Sequence, residues 1–130
     1  QAMVDFGMPM GPIELSDQVG LDVCLDVGTV LGIGSGAEKL LKSKCDDKKL
    51  GRKTGSGFYD WSENRAVRSR QPLEPKHSDD IARHMLRPMV DECIKAVQEG
   101  VVDSSDDADA GMISGTGFPG FRGGPINWTS

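Results

Sequence analysis

Apolar residues recur along this chain at helical spacing in two regions, separated by a stretch with no period at all. Pro12 suits the first turn of a helix, and Ile13, Leu15 and Val19 give a short apolar stripe that stops at Gly20. Asp22 then caps a second run, in which Val23, Cys24, Val27, Val30 and Leu31 recur at helical spacing before Gly32, Gly34 and Gly36 end it. Ala37 to Ser43 predicts one or two further turns, with lysines where a helix C-terminus favours cations. The strongest helical pattern comes later. Ser78 is its predicted cap, Asp79 and Asp80 lie in its first turn, and Ile81, Met85, Met89, Val90, Cys93, Ile94 and Val97 mark one continuous face that Gly100 ends. Pro88 has no N–H for the carbonyl of His84, so a kink is expected there. Ser104 or Ser105, followed by acids, opens a shorter helix that closes near Gly115.

Between these regions, from Cys45 to His77, no helical period holds. "GRKTGSGFYDW" starts with glycines that forbid a stable helix and ends in Phe58, Tyr59 and Trp61, an aromatic cluster suited to plugging a glycine-rich turn against a core. "ENRAVRSRQPLEPKH" is polar with two prolines and reads as a surface linker. Val101 and Val102 aside, nothing reads as a strand, so the predicted fold class is all-α. The predicted organisation is a first helical repeat at 1–61, a linker at 62–77 and a second helical repeat at 78–130.

The loop "GMPMGP", Gly7 to Pro12, supplies the reason for speaking of repeats. Sliding Gly7 onto Gly117 puts Pro9 on Pro119, Met3 on Ile113 and Met8 on Phe118. In each half an apolar helix tail runs into glycine, a large apolar residue and proline.

A length of 130 residues suits one ordinary domain, with 37% hydrophobic and 27% charged residues near globular values and no apolar run long enough to span a membrane. Cys24, Cys45 and Cys93 form no CxxC pair and are odd in number, which reads as reduced core thiols in a cytoplasmic setting. The net charge of -5 argues against nucleic acid and hides a gradient. Residues 1–37 carry five acids and no base, 38–76 carry eleven bases and six acids, and 77–130 carry four bases and nine acids. Lys39, Lys42, Lys44, Lys48, Lys49, Arg52 and Lys53 could meet an anionic ligand, or could simply form a solvated surface.

Two glycine motifs carry dinucleotide-like spacing. "GIGSGA", Gly32 to Ala37, fits G-x-G-x-x-A, and "GTGFPG", Gly115 to Gly120, fits G-x-G-x-x-G. Such a motif needs a buried strand before it and a helix after it; Gly115 follows a polar helical stretch, and Gly32 continues a helical pattern. "GRKTGSG" resembles a phosphate loop only in composition, since its Lys precedes the turn. His77 and His84 have no nucleophile at recognisable spacing, paired acids such as Asp46 with Asp47 and Asp106 with Asp107 sit at helix ends where capping explains them, and no metal-ligating cluster stands out.

Taken together, "AMVDFGMPMGPIELSDQVGLD", "GRKTGSGFYDW", "RPMVDECIKAVQEGVV" and "GTGFPGFRGGPINW" resemble the C-terminal helical region of the 3-hydroxyacyl-CoA dehydrogenase family, in particular its long form, the α-subunit of the multifunctional fatty-acid β-oxidation enzyme. The likeness spans nearly the whole chain, in the family's order. It implies two tandem repeats packed as an intramolecular pseudo-dimer, resembling the 6-phosphogluconate dehydrogenase C-terminal-domain-like fold. It also implies that NAD and the catalytic Ser, His and Glu belong to an N-terminal Rossmann domain outside this chain, so that the chain is a fragment with no catalytic, cofactor-binding or metal residues of its own. Where the family's Asn and Arg would fall, the second repeat holds Arg83 and His84. By the same resemblance Met8, Pro9, Met10, Gly11 and Pro12 line the substrate cleft beside the acyl group, with core packing as the competing role for the methionines.

The leading expectation is therefore part of an enzyme that oxidises 3-hydroxyacyl-CoA with NAD, this chain supplying scaffold and one wall of the acyl site. Its expected partners are the Rossmann domain, the acyl-CoA substrate and a multienzyme complex, with no nucleic acid and no membrane span. The alternatives are a free-standing helical assembly module without catalysis, and a minimal dinucleotide-binding protein built on Gly32 to Ala37.

Overall fold

The structure is a computed structural model and describes residues 1–32, 36–68 and 75–130. Among these, seven α-helices carry most of the chain: α1 (Ala2–Phe6), α2 (Pro12–Val19), α3 (Leu21–Val30), α4 (Gly36–Asp46), α5 (Pro75–Gln98), α6 (Ser105–Thr116) and α7 (Pro125–Thr129). Single 3-10 turns stand at Arg52–Thr54 and Gly120–Arg122. The fold is mostly helical, as expected. The exception is a hairpin of two three-residue strands, β1 (Asp60–Ser62) and β2 (Arg65–Val67), paired antiparallel with Trp61 opposite Ala66. Its two-residue turn, Glu63 and Asn64, has both φ angles positive at 49° and 62°, which suits the right-handed twist of a tight hairpin. Asn64 tolerates the left-handed conformation, but without a glycine beside it the turn signal is weak. Val101 and Val102 sit in the turn after α5 rather than in a strand.

Chain contacts divide the molecule into two units, Gln1–Gly11 with Pro72–Ser130, and Pro12–Gln71. In the first, Met3 and Phe6 of α1, Ala82 and Leu86 of α5, and Phe118 form a buried apolar cluster, edged by Met8, Met89, Ile113 and Trp128. The Phe6 ring meets Phe118 and Trp128 edge-on, at centroid distances of 5.6 and 4.9 Å. Each fully buried large side chain here stabilises the fold by about 1.5–3 kcal/mol.

The inner face of α5 differs from the predicted one. Ala82, Leu86, Val90 and Cys93 are buried, while Ile81, Met85 and Ile94 remain 40%, 42% and 36% exposed. α1 packs along α5, and the small Ala82 lies in that contact at 1% exposure. Close approach of a neighbouring helix, rather than the bulk of its own side chains, orients this helix. The helix also starts earlier than Ser78 predicts. α5 begins at Pro75, so Ser78 is an inner residue whose hydroxyl donates to Asp5 at 2.8 Å, and Pro88 lies within the assigned helix. α6 follows its prediction closely: the Ser104 hydroxyl accepts from the N–H of Asp107, and Gly117 ends the helix with φ 71°. Within the expected linker at 62–77, the chain forms β2 at one end and the first residues of α5 at the other. Residues 69–74 lie outside the described residues.

In the second unit, α3 packs against α2 and α4. Leu21 is fully buried, whereas Val23, Val27, Val30 and Leu31 are exposed by 42%, 50%, 85% and 65%. Val23, Val27 and Val30 occupy adjoining positions on one side of α3 and Leu31 follows as its C-cap, leaving an apolar face exposed.

Candidate functional site

The loop Gly7–Pro12 begins as a helix stop. Gly7, at φ 118°, donates its N–H to the carbonyl of Val4 at 3.0 Å, and the N–H of Met8 reaches back to Met3 at 2.9 Å, the paired bonds that close a helix on a left-handed glycine. A Cβ at Gly7 would lie 2.9 Å from the Pro119 ring, and one at Gly117 would lie 2.9 Å from the Pro9 ring. The contact is reciprocal. Each glycine receives the other loop's proline, as in an isologous pairing of equivalent surfaces. These are the residues that the sequence shift superposes, and two further superposed pairs, Met3 with Ile113 and Met8 with Phe118, meet in the same apolar cluster.

The predicted substrate-lining residues therefore divide. Met8 packs against the core cluster, and Pro9 is exposed with its ring on Gly117. Met10 and Gly11 are half-buried and Pro12 is exposed as the first residue of α2. Gly11 has no atom within 4 Å of where a Cβ would stand, so the loop is open at that point.

Arg122 braces the end of α1, just before the loop. Its Nε donates to the Phe6 carbonyl at 2.9 Å, and its guanidinium lies 3.9 Å from the centre of the Phe6 ring. Asp5, beside it in sequence, accepts from the Gln1 amide at 2.6 Å and from Ser78. Those two hydrogen bonds hold its carboxyl below the usual aspartate range.

Two buried carboxylates escaped sequence reasoning. Asp17, fully buried on α2, accepts from the backbone N–H groups of Phe58 and Tyr59 at 2.9 Å each and from the Trp61 indole at 3.0 Å. Gly51 and Gly57 pass so close that a Cβ on either would collide with Asp17. The glycine-rich segment "GRKTGSGFYDW" is thus wrapped around a carboxylate, with its aromatic residues held beside it. Asp109 of α6 does the same for the C-terminal segment, accepting from Ile126 and Asn127 at 2.8 and 2.9 Å, with Gly124 against its side chain. Pro125 has no N–H to give, so that grip starts one residue further past its glycine. No local signal marked Asp17: α2 also carries Glu14, and the glycine-rich segment that wraps Asp17 arrives only after α3 and α4.

The basic stretch is partly committed to structure. Lys44 donates to the Gly57 carbonyl at 3.0 Å and lies over the Phe58 ring, and Lys53 binds both oxygens of Asp22 at 2.6 Å. Lys53 holds the Asp22 carboxyl below its usual range. Burial pushes the Cys45 and Cys93 thiols up, which suits unreactive packing thiols. His84 is an exposed residue of α5.

Neither glycine motif stands between a buried parallel strand and a helix among the described residues. Helix α3, not a strand, precedes Gly32; Ile33, Gly34 and Ser35 lie outside the described residues; and the sheet consists of the antiparallel pair alone. "GTGFPG" follows α6 directly, with Gly117 serving as that helix's cap. The minimal dinucleotide-binding alternative falls on this topology. No group of three or more metal-ligating side chains occurs among the described residues, and no described helix is long and apolar enough to cross a membrane.

Comparison with known proteins agrees with the sequence resemblance. Residues 1–61 match the family described as 3-hydroxyacyl-CoA dehydrogenase, C-terminal domain. Relatives named fatty acid oxidation complex subunit alpha include those of Vibrio vulnificus, 36% identical over 98% of this chain and 20% of the relative, and Vibrio campbellii, 37% identical over 96% and 20%. That of Colwellia psychrerythraea is 36% identical over 95% of the chain and 20% of the relative. The chain thus spans about a fifth of the length of the curated relatives it matches. Its first 61 residues thus fall inside the 3-hydroxyacyl-CoA dehydrogenase C-terminal domain, and nearly all of its length is similar to a fifth of these fatty acid oxidation complex subunits.

Proposed function

We propose that the chain is the helical part of an NAD-dependent 3-hydroxyacyl-CoA dehydrogenase of fatty-acid β-oxidation, supplying scaffold and one apolar wall of the acyl site. The observation that carries this reading is the match of residues 1–61 to that family's domain. NAD, the hydride acceptor, is held by residues outside 1–130, and so is the base that takes the hydroxyl proton. This chain's own residues act by shape. The clasp of Gly7 and Pro9 with Gly117 and Pro119 holds the loop, while Met10, Gly11 and Pro12 offer pliable apolar surface to the acyl chain. The open face of α3 gives the scaffold a surface for another domain, and the relatives' place in a fatty acid oxidation complex supports a multienzyme setting.

The test is a chimera in which 1–130 replaces the corresponding fifth of the Vibrio vulnificus subunit, assayed for NADH formation from a 3-hydroxyacyl-CoA. Activity within about tenfold of the parent is expected, whereas a folded chimera that binds NAD and yields no NADH refutes the reading. That second outcome would favour the helical assembly module without catalysis.

A further inference from the structure

Helices α5 and α6 leave an apolar groove of about 400 Å³ between them. Its walls are Met89, Cys93 and Ala96 from α5, Val102 from the connecting turn, and Ala108 and Met112 from α6. Gly111 also lines it, and a Cβ there would meet no atom within 4 Å. Its φ lies outside the left-handed region. Nothing in this chain's own packing therefore requires a glycine, although glycine weakens a helix interior. Both charged residues of the lining, Glu92 and Asp107, are exposed acids, and Asp107 also receives the Ser104 hydroxyl at 2.6 Å. From Asp91 to Asp109 the sequence adds Glu99, Asp103 and Asp106 against one base, Lys95.

We propose that this groove receives an amphipathic helix of a partner protein, its aliphatic face seated on Met89, Gly111 and Met112 and its lysines or arginines over Glu92 and Asp107. Methionine side chains adapt to aliphatic surfaces of varied shape, and a glycine in the lining lets a second helix approach the α6 backbone. The acidic rim selects cationic flanks. It repels the carboxylate of a fatty acid and the phosphates of an acyl-CoA, which sets this site apart from an acyl site. The inference stands independently of the dehydrogenase reading.

The probe is a fluorescein-labelled leucine–lysine amphipathic peptide of about four helical turns, with a leucine–glutamate peptide of the same apolar pattern as its counterpart. Anisotropy with the 130-residue chain reads affinity, and methyl spectra of 13C-labelled methionine locate the contact. The lysine peptide should bind at least about tenfold more tightly than the glutamate peptide and shift the Met89 and Met112 signals. Gly111→Leu, which improves helix propensity and fills the groove, should keep the helical circular dichroism and weaken binding at least about tenfold. Glu92→Lys should weaken it without filling anything. Equal binding of the two peptides, or unchanged binding to a folded Gly111→Leu chain, overturns the proposal. So does dodecanoate or dodecanoyl-CoA saturating the same methyl signals at lower concentration than the peptide. Methionine signals that move with protein concentration alone would assign the groove to a second copy and overturn it too.

Discussion

Removing the Asp17 carboxylate tests the account of the glycine-rich segment most directly. In Asp17→Ala the N–H groups of Phe58 and Tyr59 and the Trp61 indole, now bonded at 2.9, 2.9 and 3.0 Å, lose their acceptor in a site with no solvent access. A hydrogen bond to a charged group contributes about 1.5–3 kcal/mol, so three such bonds would suggest a loss near the whole stability of a domain. The cost of burying the carboxylate offsets part of that sum, and breaking a buried charged contact by removing one partner costs about 3–5 kcal/mol in practice. With a urea slope of about 1–2 kcal/mol per molar, the unfolding midpoint should fall by roughly 2 M. The chain has two tryptophans, so Trp61 emission in a Trp128→Phe background reports the affected segment. Asp17→Asn keeps the shape and one acceptor oxygen but turns an NH2 group toward donors, and should lose about 2 kcal/mol. An Asp17→Ala loss below about 1 kcal/mol, no more than an average substitution, would refute the clasp as the organiser of this segment.

Glycine replacements should separate positions that need a bare Cα from those that do not. Gly57→Ala drives a methyl into Asp17 and the Gly51 backbone and should cost more than about 2 kcal/mol in thermal or urea unfolding, whereas Gly11→Ala, with open space, should stay within about 0.5 kcal/mol. Gly7→Ala and Gly117→Ala meet a proline ring at 2.9 Å and a positive φ of 118° or 71°, so both should destabilise, and comparable losses are the expected mark of the reciprocal contact. Asp22 is held ionised by Lys53, so its folded value lies below the ordinary 3.8 and the unfolded chain binds the proton first as pH falls. The stability advantage of the parent over Asp22→Asn should be full well above pH 3.8, vanish as pH drops through the folded value, and shrink with salt; an advantage that grows on acidification would contradict the pair. Cys93, buried at 8% exposure with its thiol pushed up by burial, should react with iodoacetamide far more slowly than a small-molecule thiol at pH 8, and labelling at the free rate by mass spectrometry would contradict its packing.

What was readable in the residues alone was everything local or additive. The α2, α3 and α6 segments, the glycine that ends each apolar run and the mostly helical class follow from periods of apolar residues and from caps whose donors and acceptors lie within a few positions of each other. The likeness of Gly7 with Pro9 to Gly117 with Pro119 could also be seen as a pattern, while the resemblance to the family rested on four longer segments taken in order. Spacing could not say that each glycine would receive the other loop's proline, because those pairings, Gly7 with Pro119 and Gly117 with Pro9, join positions more than 100 residues apart in the numbering. Nor could it choose the inner face of α5, since Ile81 and Met85 are more apolar than Ala82 and only the approach of α1 makes the small residue the better fit. Asp17 and Asp109 show the same limit most sharply. A carboxylate in a helix is ordinarily solvated, and these two are buried because chain folded from 41 and 17 residues away brings backbone N–H groups to them. Period and propensity act over a turn or two of helix, while burial and partner choice depend on which distant segments arrive, and that is settled only when the whole chain has packed.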